Sequence, residues 1–368
     1  VNSVFFENAF GYGETYPTIF SMFTGKNIYK NYCDAPNILF SYGKETNLGK
    51  IYKNKDFVNI YYCNKVPHYP TEEGFYKRYN NNLTDEFDYK CLKKKYDDYN
   101  LKLFLKEINL ENLINQKKKL FFTIHDMSLH DNPEIYNGNI NSHYKAFKKA
   151  SIEVKKNLSL IKYNEKQDTL FFLSDHGLSP RPFNLLHTRK KIDNKMYLKY
   201  YTSMFVDEKI KFTFFIKFPN TKFGLNITKK IIPSDVFKII NLIGFDDNMK
   251  TVKILKKLKR ILKDKIIISL KNAKSSPYGK MLTDLIFQFH FVLIDDYKKI
   301  IYSHNHPNQY LIYKKNLFKK ISYNEVDLEL VKVIKEYYSL KNYLKKLFFL
   351  FISYLIIIPS KIINKFIK

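Results

Sequence analysis

Only three cysteines, Cys33, Cys63 and Cys91, occur in 368 residues. They are odd in number and widely spaced, which excludes a zinc knuckle and a disulfide framework and leaves the compartment open. Arginine is nearly as scarce: four (Arg78, Arg181, Arg189, Arg260) among 63 basic residues. Acidic residues are outnumbered, 35 against 63. No apolar run is long enough to cross a bilayer. The most apolar segment, residues 345–359, holds about a dozen apolar side chains and would span ~18 Å as a helix, short of a ~30 Å hydrocarbon core. No stretch has the pattern of a dedicated nucleic-acid motif, so nucleic acid is not an expected partner. The chain starts at Val1 with no signal peptide ahead of its first motif, and we expect it to be a fragment or processed product.

What is present is globular. A 45% hydrophobic and 17% aromatic content is far from the disordered range, and the length suits one large α/β domain, alone or with a small extension. The formal net charge of +28 admits two readings. One is an anionic partner, a membrane surface, a polyanionic glycan or nucleic acid, the last disfavoured by the lack of a motif. The other is compositional drift, since Lys, Asn, Ile, Tyr and Phe are all abundant together. The apolar tail, followed by Lys361 and Lys365, reads either as a reversible interfacial membrane anchor or as a buried terminal helix or oligomer contact.

The most informative stretch is 169–177, Thr-Leu-Phe-Phe-Leu-Ser-Asp-His-Gly. Its first six residues form an apolar, β-prone run of strand length, expected to be a buried strand of an α/β sheet. It ends abruptly in Asp175 and His176. A carboxylate beside an imidazole at the carboxyl end of such a strand stands where α/β sheets bind ligands, and both are metal-ligand types. An ordinary strand-to-loop exit is the alternative. A second buried strand is expected over 119–125, running into Asp126, His130 and Pro133. Arg181 and Arg189 follow the Asp-His pair closely, and a planar guanidinium suits sulfate or phosphate better than generic positive charge requires.

Elsewhere the patterning predicts a strand over 1–10 and a helix from Thr15 to a closing Gly25, with Ile19, Phe20 and Phe23 on its apolar face. In that helix Thr15 is the N-cap and Pro17 stands in the first turn. Residues 26–118 are polar and weakly patterned, expected to be insertions over the site, apart from an amphipathic helix within 97–115. A helix over 141–161 is expected to turn Tyr144, Phe147, Ile152 and Leu158 inward. Further on come a strand over 211–219, a strand exit and helix over 231–244, a basic helix over 251–265, and hairpin strands over 287–294 and 298–302.

The pattern Thr15-x-Pro17-Thr18 closed by Phe23-Thr24-Gly25, taken with Ser174-Asp175-His176-Gly177, resembles the sulfatase and alkaline phosphatase superfamily. Formylglycine sulfatases place Cys or Ser at the position of Thr15 and Arg where Ile19 stands, so that mechanism is not expected. The Thr version is similar to the phosphoethanolamine and phosphoglycerol transferase branch. The resemblance implies an α/β fold, an alkaline-phosphatase-like sheet flanked by helices (1–245). To this it adds a small C-terminal α+β subdomain (246–320) and a helical tail (321–368).

It further implies a divalent metal (Zn, Mn, Mg or Ca) on Asp175, His176 and Thr15, with Thr15 the nucleophile and His130 the leaving-group histidine. His125 and His187 would contact a phosphate or sulfate ester, carried on a glycan or lipid at a membrane or cell envelope. Arg181 and Arg189, read from their own chemistry and not from the resemblance, are added as anion-binding residues. The family's first metal carboxylate lies on a strand upstream of the nucleophile helix. Glu7 and Glu14 are the acidic residues ahead of Thr15, and neither is at the matching position. A catalytically inactive module of the same fold, binding an anionic membrane or polysaccharide, is the other expectation.

Overall fold

The computed structural model describes residues 3–12, 15–27, 48–64, 87–92, 100–126, 129, 140–175, 177, 210–219, 224–243, 256–271, 289–303, 306–314, 317–339 and 344. The chain divides into two compact units: Val1–Phe5, Glu45–Ile227 and Ile240–Met249 in the first, and Phe6–Lys44, Thr228–Ile239 and Lys250–Lys368 in the second.

The first unit is built on a parallel three-stranded sheet. Its middle strand is β2 (Phe57–Cys63), flanked by β3 (Tyr89–Leu92) and β4 (Lys119–His125). β2 and β4 run in unbroken register from Phe57↔Lys119 to Cys63↔His125. Sequence patterning missed β2, which falls in the stretch read as insertions. Its hidden polar residue is Asn59, whose side chain donates to Gly49 O at 2.6 Å while its backbone N–H donates to Asp88 Oδ2 at 2.8 Å. The Nδ2 end of the amide is thus held by Gly49, and Asn59 sits in the core at full burial.

Parallel strands need a crossover. The one between β3 and β4 holds two short helices, α3 (Leu101–Glu107) and α4 (Leu110–Asn115), where the periodicity predicted one; α1 (Thr15–Thr24) and α2 (Leu48–Lys53) precede them in the chain. The break is Asn109, left-handed at φ 50°, whose side chain then caps α4 at Asn112 N. The expected apolar residues Leu101, Phe104, Leu105, Ile108 and Leu113 are all buried, against Ile60, Tyr62 and Cys91 of the sheet. Aromatic rings also pack on the sheet, with Tyr52 of α2 stacked on Phe121 at 3.9 Å between centroids.

Helix α5 (Ile140–Leu160) corrects the expected inward face. Ala146 and Asn157 are buried, whereas Tyr144, Phe147 and Ile152 are exposed. Ala146, the paired amide of Asn157 and, at the helix end, Leu160 form the packed side, so the expected stripe of Tyr144, Phe147 and Ile152 does not mark the contact face.

A four-stranded sheet is ordered β5–β6–β1–β7, with β1 Val4–Ala9, β5 Leu170–Leu173, β6 Phe214–Lys217 and β7 Leu225–Ile231. β5 pairs antiparallel with β6 (Leu170↔Lys217) and is half-buried, less enclosed than its composition predicted. β1 pairs with β6 through Val4↔Ile216. Phe10 N–H closes on Ile231 O at 3.0 Å.

In the second unit, α1 begins at Thr15 and ends at Gly25, which is left-handed at φ +70° as a helix-closing glycine should be. Its buried residues include Thr18, Ser21 and Met22 as well as the expected Ile19. Both hydroxyls are satisfied: Thr18 Oγ1 accepts from Tyr12 N, and Ser21 donates to Lys26 O. Helix α6 (Pro233–Ile243) starts with Pro at its first position and Asp235 two residues on, the carboxylate of which accepts from Ile232 N at 3.2 Å.

The predicted basic helix over 251–265 is cut short. Residues 256–258 make one helical turn, and Lys263 instead pairs its backbone with Lys230. Five antiparallel strands follow in the order β12–β11–β10–β9–β8: Ile266–Lys271, Phe289–Ile294, Lys299–Ser303, His306–Lys314 and Leu317–Ile321 from β8 to β12. The expected 287–294 and 298–302 hairpin is β9–β10, in register at Lys299↔Ile294. Helix α7 (Leu328–Tyr337) is N-capped by Asp327, and its Tyr337 meets Phe291 edge-on at 5.2 Å. Among the described residues no helix is long and apolar enough to cross a membrane, and the apolar tail lies outside them.

Candidate active site

Register decides where the first unit gathers its polar groups. Because Cys63 and His125 are partners in parallel strands, β2 and β4 end at the same level, and the next residues, Asn64 and Asp126, stand side by side. Asn64 N–H donates to His125 O at 3.2 Å, and Asn64 Nδ2 donates to Asp126 Oδ1 at 2.7 Å. The other carboxylate oxygen of Asp126 accepts from Asn157 Nδ2 of α5 at 3.1 Å. Two strand ends and a helix are thereby tied to one carboxylate.

His125 is the centre of the local electrostatics. Burial lowers its pKa from the ordinary 6.5, while the carboxylates of Asp175 and then Asp126 act in the opposite sense. Asp175, two residues past the end of β5, therefore lies close enough to His125, the last residue of β4, to be felt. Tyr61 Oη and His125 Nδ1 are 3.4 Å apart. Burial, with the Cys63 thiol beside it, raises the Tyr61 phenol well above 10, so the hydroxyl keeps its proton. A neutral imidazole accepting that proton at Nδ1 carries its own on Nε2, where it can donate to an anion.

Of the residues singled out from sequence, His125 and Asp175 are brought together here. Thr15 is the first residue of α1, in the other unit, and its side chain is not among those described. His130, His176, Arg181, His187 and Arg189 lie outside the described residues. Glu7 is exposed on β1. Sequence reasoning missed Tyr61, Asn64, Asp126 as a tied carboxylate, and Asn157. Asn64 and Asp126 carried a signal, since each is the first polar residue after an apolar strand; Asn157, inside a Lys-rich helix, carried none.

Donor chemistry bears on a metal. Asp175 oxygen and His125 nitrogen are types that divalent ions accept, but they are two, and a zinc site uses three or four protein ligands. Asp126 already has both oxygens engaged. Among the described residues no group of three His, Cys, Asp or Glu is placed to hold a metal ion.

No protein-family model matches the chain, and no curated protein matches it in sequence. Solved structures do match in fold. The lipoteichoic acid synthase LtaP from Listeria monocytogenes aligns over 95% of this chain and 83% of its own, with TM-score 0.52 and 10% identity. A protein in the alkaline phosphatase superfamily from Vibrio parahaemolyticus aligns over 91% and 76%, with TM-score 0.51 and 12% identity. The phosphonate monoester hydrolase of Agrobacterium radiobacter aligns over 85% and 82%, with TM-score 0.58 and 11% identity. This is the alkaline phosphatase superfamily fold. In that sulfatase-like frame, an α/β arrangement of sheets and helices, the expectation drawn from Thr15–Gly25 and Ser174–Gly177 is met at the level of fold.

Proposed function

We propose that the chain is an enzyme acting on phosphate or sulfate esters, a hydrolase or a phosphoethanolamine-type transferase. The observation that carries this reading is the proximity of Asp175 to a neutral, half-buried His125 at the end of β4, in an alkaline-phosphatase-like fold. The neighbours named a lipoteichoic acid synthase and a phosphonate monoester hydrolase support the ester class. By its motif, Thr15 is the nucleophile. Its hydroxyl oxygen attacks phosphorus or sulfur in line, and the unpaired N–H groups of the first turn of α1 stabilise the charge that develops.

Asp175 and His176 are the proposed ligands of a divalent ion, which when bound supplies a Lewis acid that makes a hydroxyl nucleophile available near neutral pH. His130 gives a proton to the leaving oxygen. His125 donates from Nε2 to a non-bridging oxygen, and Arg181, His187 and Arg189 hold the anionic group. The covalent Thr15 ester is then passed to water or to an acceptor hydroxyl on a glycan or lipid, which suits a membrane or cell-envelope setting.

The test is turnover of nitrophenyl phosphate, phosphodiester and sulfate esters with Mn, Mg, Zn or Ca, Thr15→Ala beside the parent. Metal-dependent turnover lost in Thr15→Ala supports the assignment, and the preferred ester separates phosphoryl from sulfuryl chemistry. Equal turnover in the variant removes Thr15. An inert parent, with water or with candidate acceptor hydroxyls present, leaves a catalytically inactive module that binds polyanions.

A further inference from the structure

Helix α5 presents a face that its own unit does not use. Tyr144 is 72% exposed, Phe147 54% and Ile152 58%. At 100° per residue these three fall on one side of the helix, interleaved with the exposed Lys145, Lys148 and Lys155. The packed side holds Ala146 and Asn157, so the large apolar groups are not there to build the core. Glu153, the one acidic residue of the helix, is engaged by Lys156 at 3.2 Å. The outer face is therefore apolar and cationic together.

That combination selects among anionic partners. A polyanion in solution is recognised mainly by lysines, and even where a base stacks on a ring it gives nothing to an exposed Ile152. An anionic bilayer uses both groups: ring and aliphatic side chains enter the acyl boundary, and lysine stems lie along it with their ammonium groups at the headgroups. We propose that the outer face of α5 docks the protein on an anionic membrane surface. The helix lies in the interfacial plane, with Tyr144, Phe147 and Ile152 inserted. The proposal is independent of the ester chemistry and of the C-terminal tail.

The full chain is sedimented with vesicles of phosphatidylcholine alone and with about one third phosphatidylserine added. The triple variant Tyr144→Ser, Phe147→Ser, Ile152→Ser keeps every lysine and changes exposed positions only. The expected result is binding to the anionic vesicles alone, weakened at least ~10-fold in the triple variant, whose retention on heparin is unchanged. Undiminished vesicle binding by the variant overturns the proposal. So does a parent that binds heparin or RNA but not vesicles, which assigns the face to soluble polyanions. A second readout does not depend on removing anything. The chain has no tryptophan, so Phe147→Trp is a unique reporter. Its emission is expected to shift blue on anionic vesicles and to be quenched by brominated lipid; an unmoved spectrum with bound vesicles overturns the proposal.

Discussion

Asn157 donates to Asp126 Oδ2 at 3.1 Å from the last turn of a 21-residue helix, spanning 31 positions in sequence. With Asn64 on the other oxygen, it holds Asp126 in place. Removing one partner of a buried polar pair exposes the other to the full desolvation cost, about 1–3 kcal/mol. Asn157→Ala is expected to lower stability by about that amount, read as a shifted urea midpoint at constant slope. Asn157→Asp sets two carboxylates together and is expected to be worse at neutral pH. Lowering the pH protonates one of them, so part of its loss should be recovered in acid. A midpoint unchanged in both variants would show that the tie is not made in solution.

Burial of His125 has a definite sign in stability. The folded-state pKa lies below 6.5, so on acidification the unfolded chain takes up its proton first. Stability is therefore untouched above the unfolded value, declines as pH falls below about 6.5, and levels off once the folded imidazole also protonates. His125→Gln cannot titrate, and the difference between parent and variant isolates this residue from the other eight histidines of nine. Melting in the presence of chelator from pH 8 to pH 5 is expected to show the parent losing ground to the variant only below about 6.5. A difference that stays flat across that range would remove the desolvated neutral imidazole.

The same histidine reports on Asp175, whose carboxylate is the larger of the two charges favouring the protonated ring. Asp175→Asn removes that charge at nearly constant shape. The His125 ring proton, followed by NMR in metal-free protein, is expected to titrate at lower pH in the variant than in the parent. Should the titration not move, Asp175 would not lie beside His125, and the proposed site would lose its central pair.

These residues also show what a sequence can and cannot disclose. Residues 119–125 and 169–174 were legible because an apolar, β-prone run of that length, stopping at a polar residue, is too short for a core helix and too apolar for a loop. β2 was not, because Asn59 interrupts its pattern, and that residue is held by Gly49, which accepts from its side chain, and Asp88, which accepts from its backbone N–H, partners that exist once the chain is folded. The face of α5 misled for the opposite reason. Tyr144, Phe147 and Ile152 mark an apolar side, yet Ala146 and Asn157 are the residues that pack. The Thr15 motif and its Gly25 stop were readable since a left-handed helix terminus needs glycine whatever surrounds it.

Asp235 is fully buried and meets two lysines whose side chains are 40% and 52% exposed, Lys263 at 2.9 Å and Lys238 at 3.1 Å. A pair buried on both sides costs ~3–5 kcal/mol to break from one side. Here the lysines keep access to water, so the expected loss is smaller, about 1–3 kcal/mol for Asp235→Asn. Asp235→Ala also removes the acceptor for Ile232 N, a helix-start bond that is typically worth ~1 kcal/mol. The alanine variant should therefore melt below the asparagine variant. Equal melting temperatures would mean that the carboxylate acts through charge alone.

Gly25 closes α1 under two constraints at once. Its φ of +70° costs an L side chain about 1–2 kcal/mol. A Cβ there would also lie 2.5 Å from Phe237 Cδ1 and 2.9 Å from Cε1, so the ring or the helix end must shift, a strain of about 1–3 kcal/mol. Gly25→Ala is thus expected to destabilise by roughly 2–5 kcal/mol, the sum of the two. The parts separate in a double-mutant cycle, because Phe237→Leu removes the ring and leaves the backbone penalty. In that background Gly25→Ala should cost only the ~1–2 kcal/mol of the left-handed residue. If the cost is the same in both backgrounds, Phe237 swings aside freely, and the tight seat of the helix end against α6 is not what fixes glycine at this position.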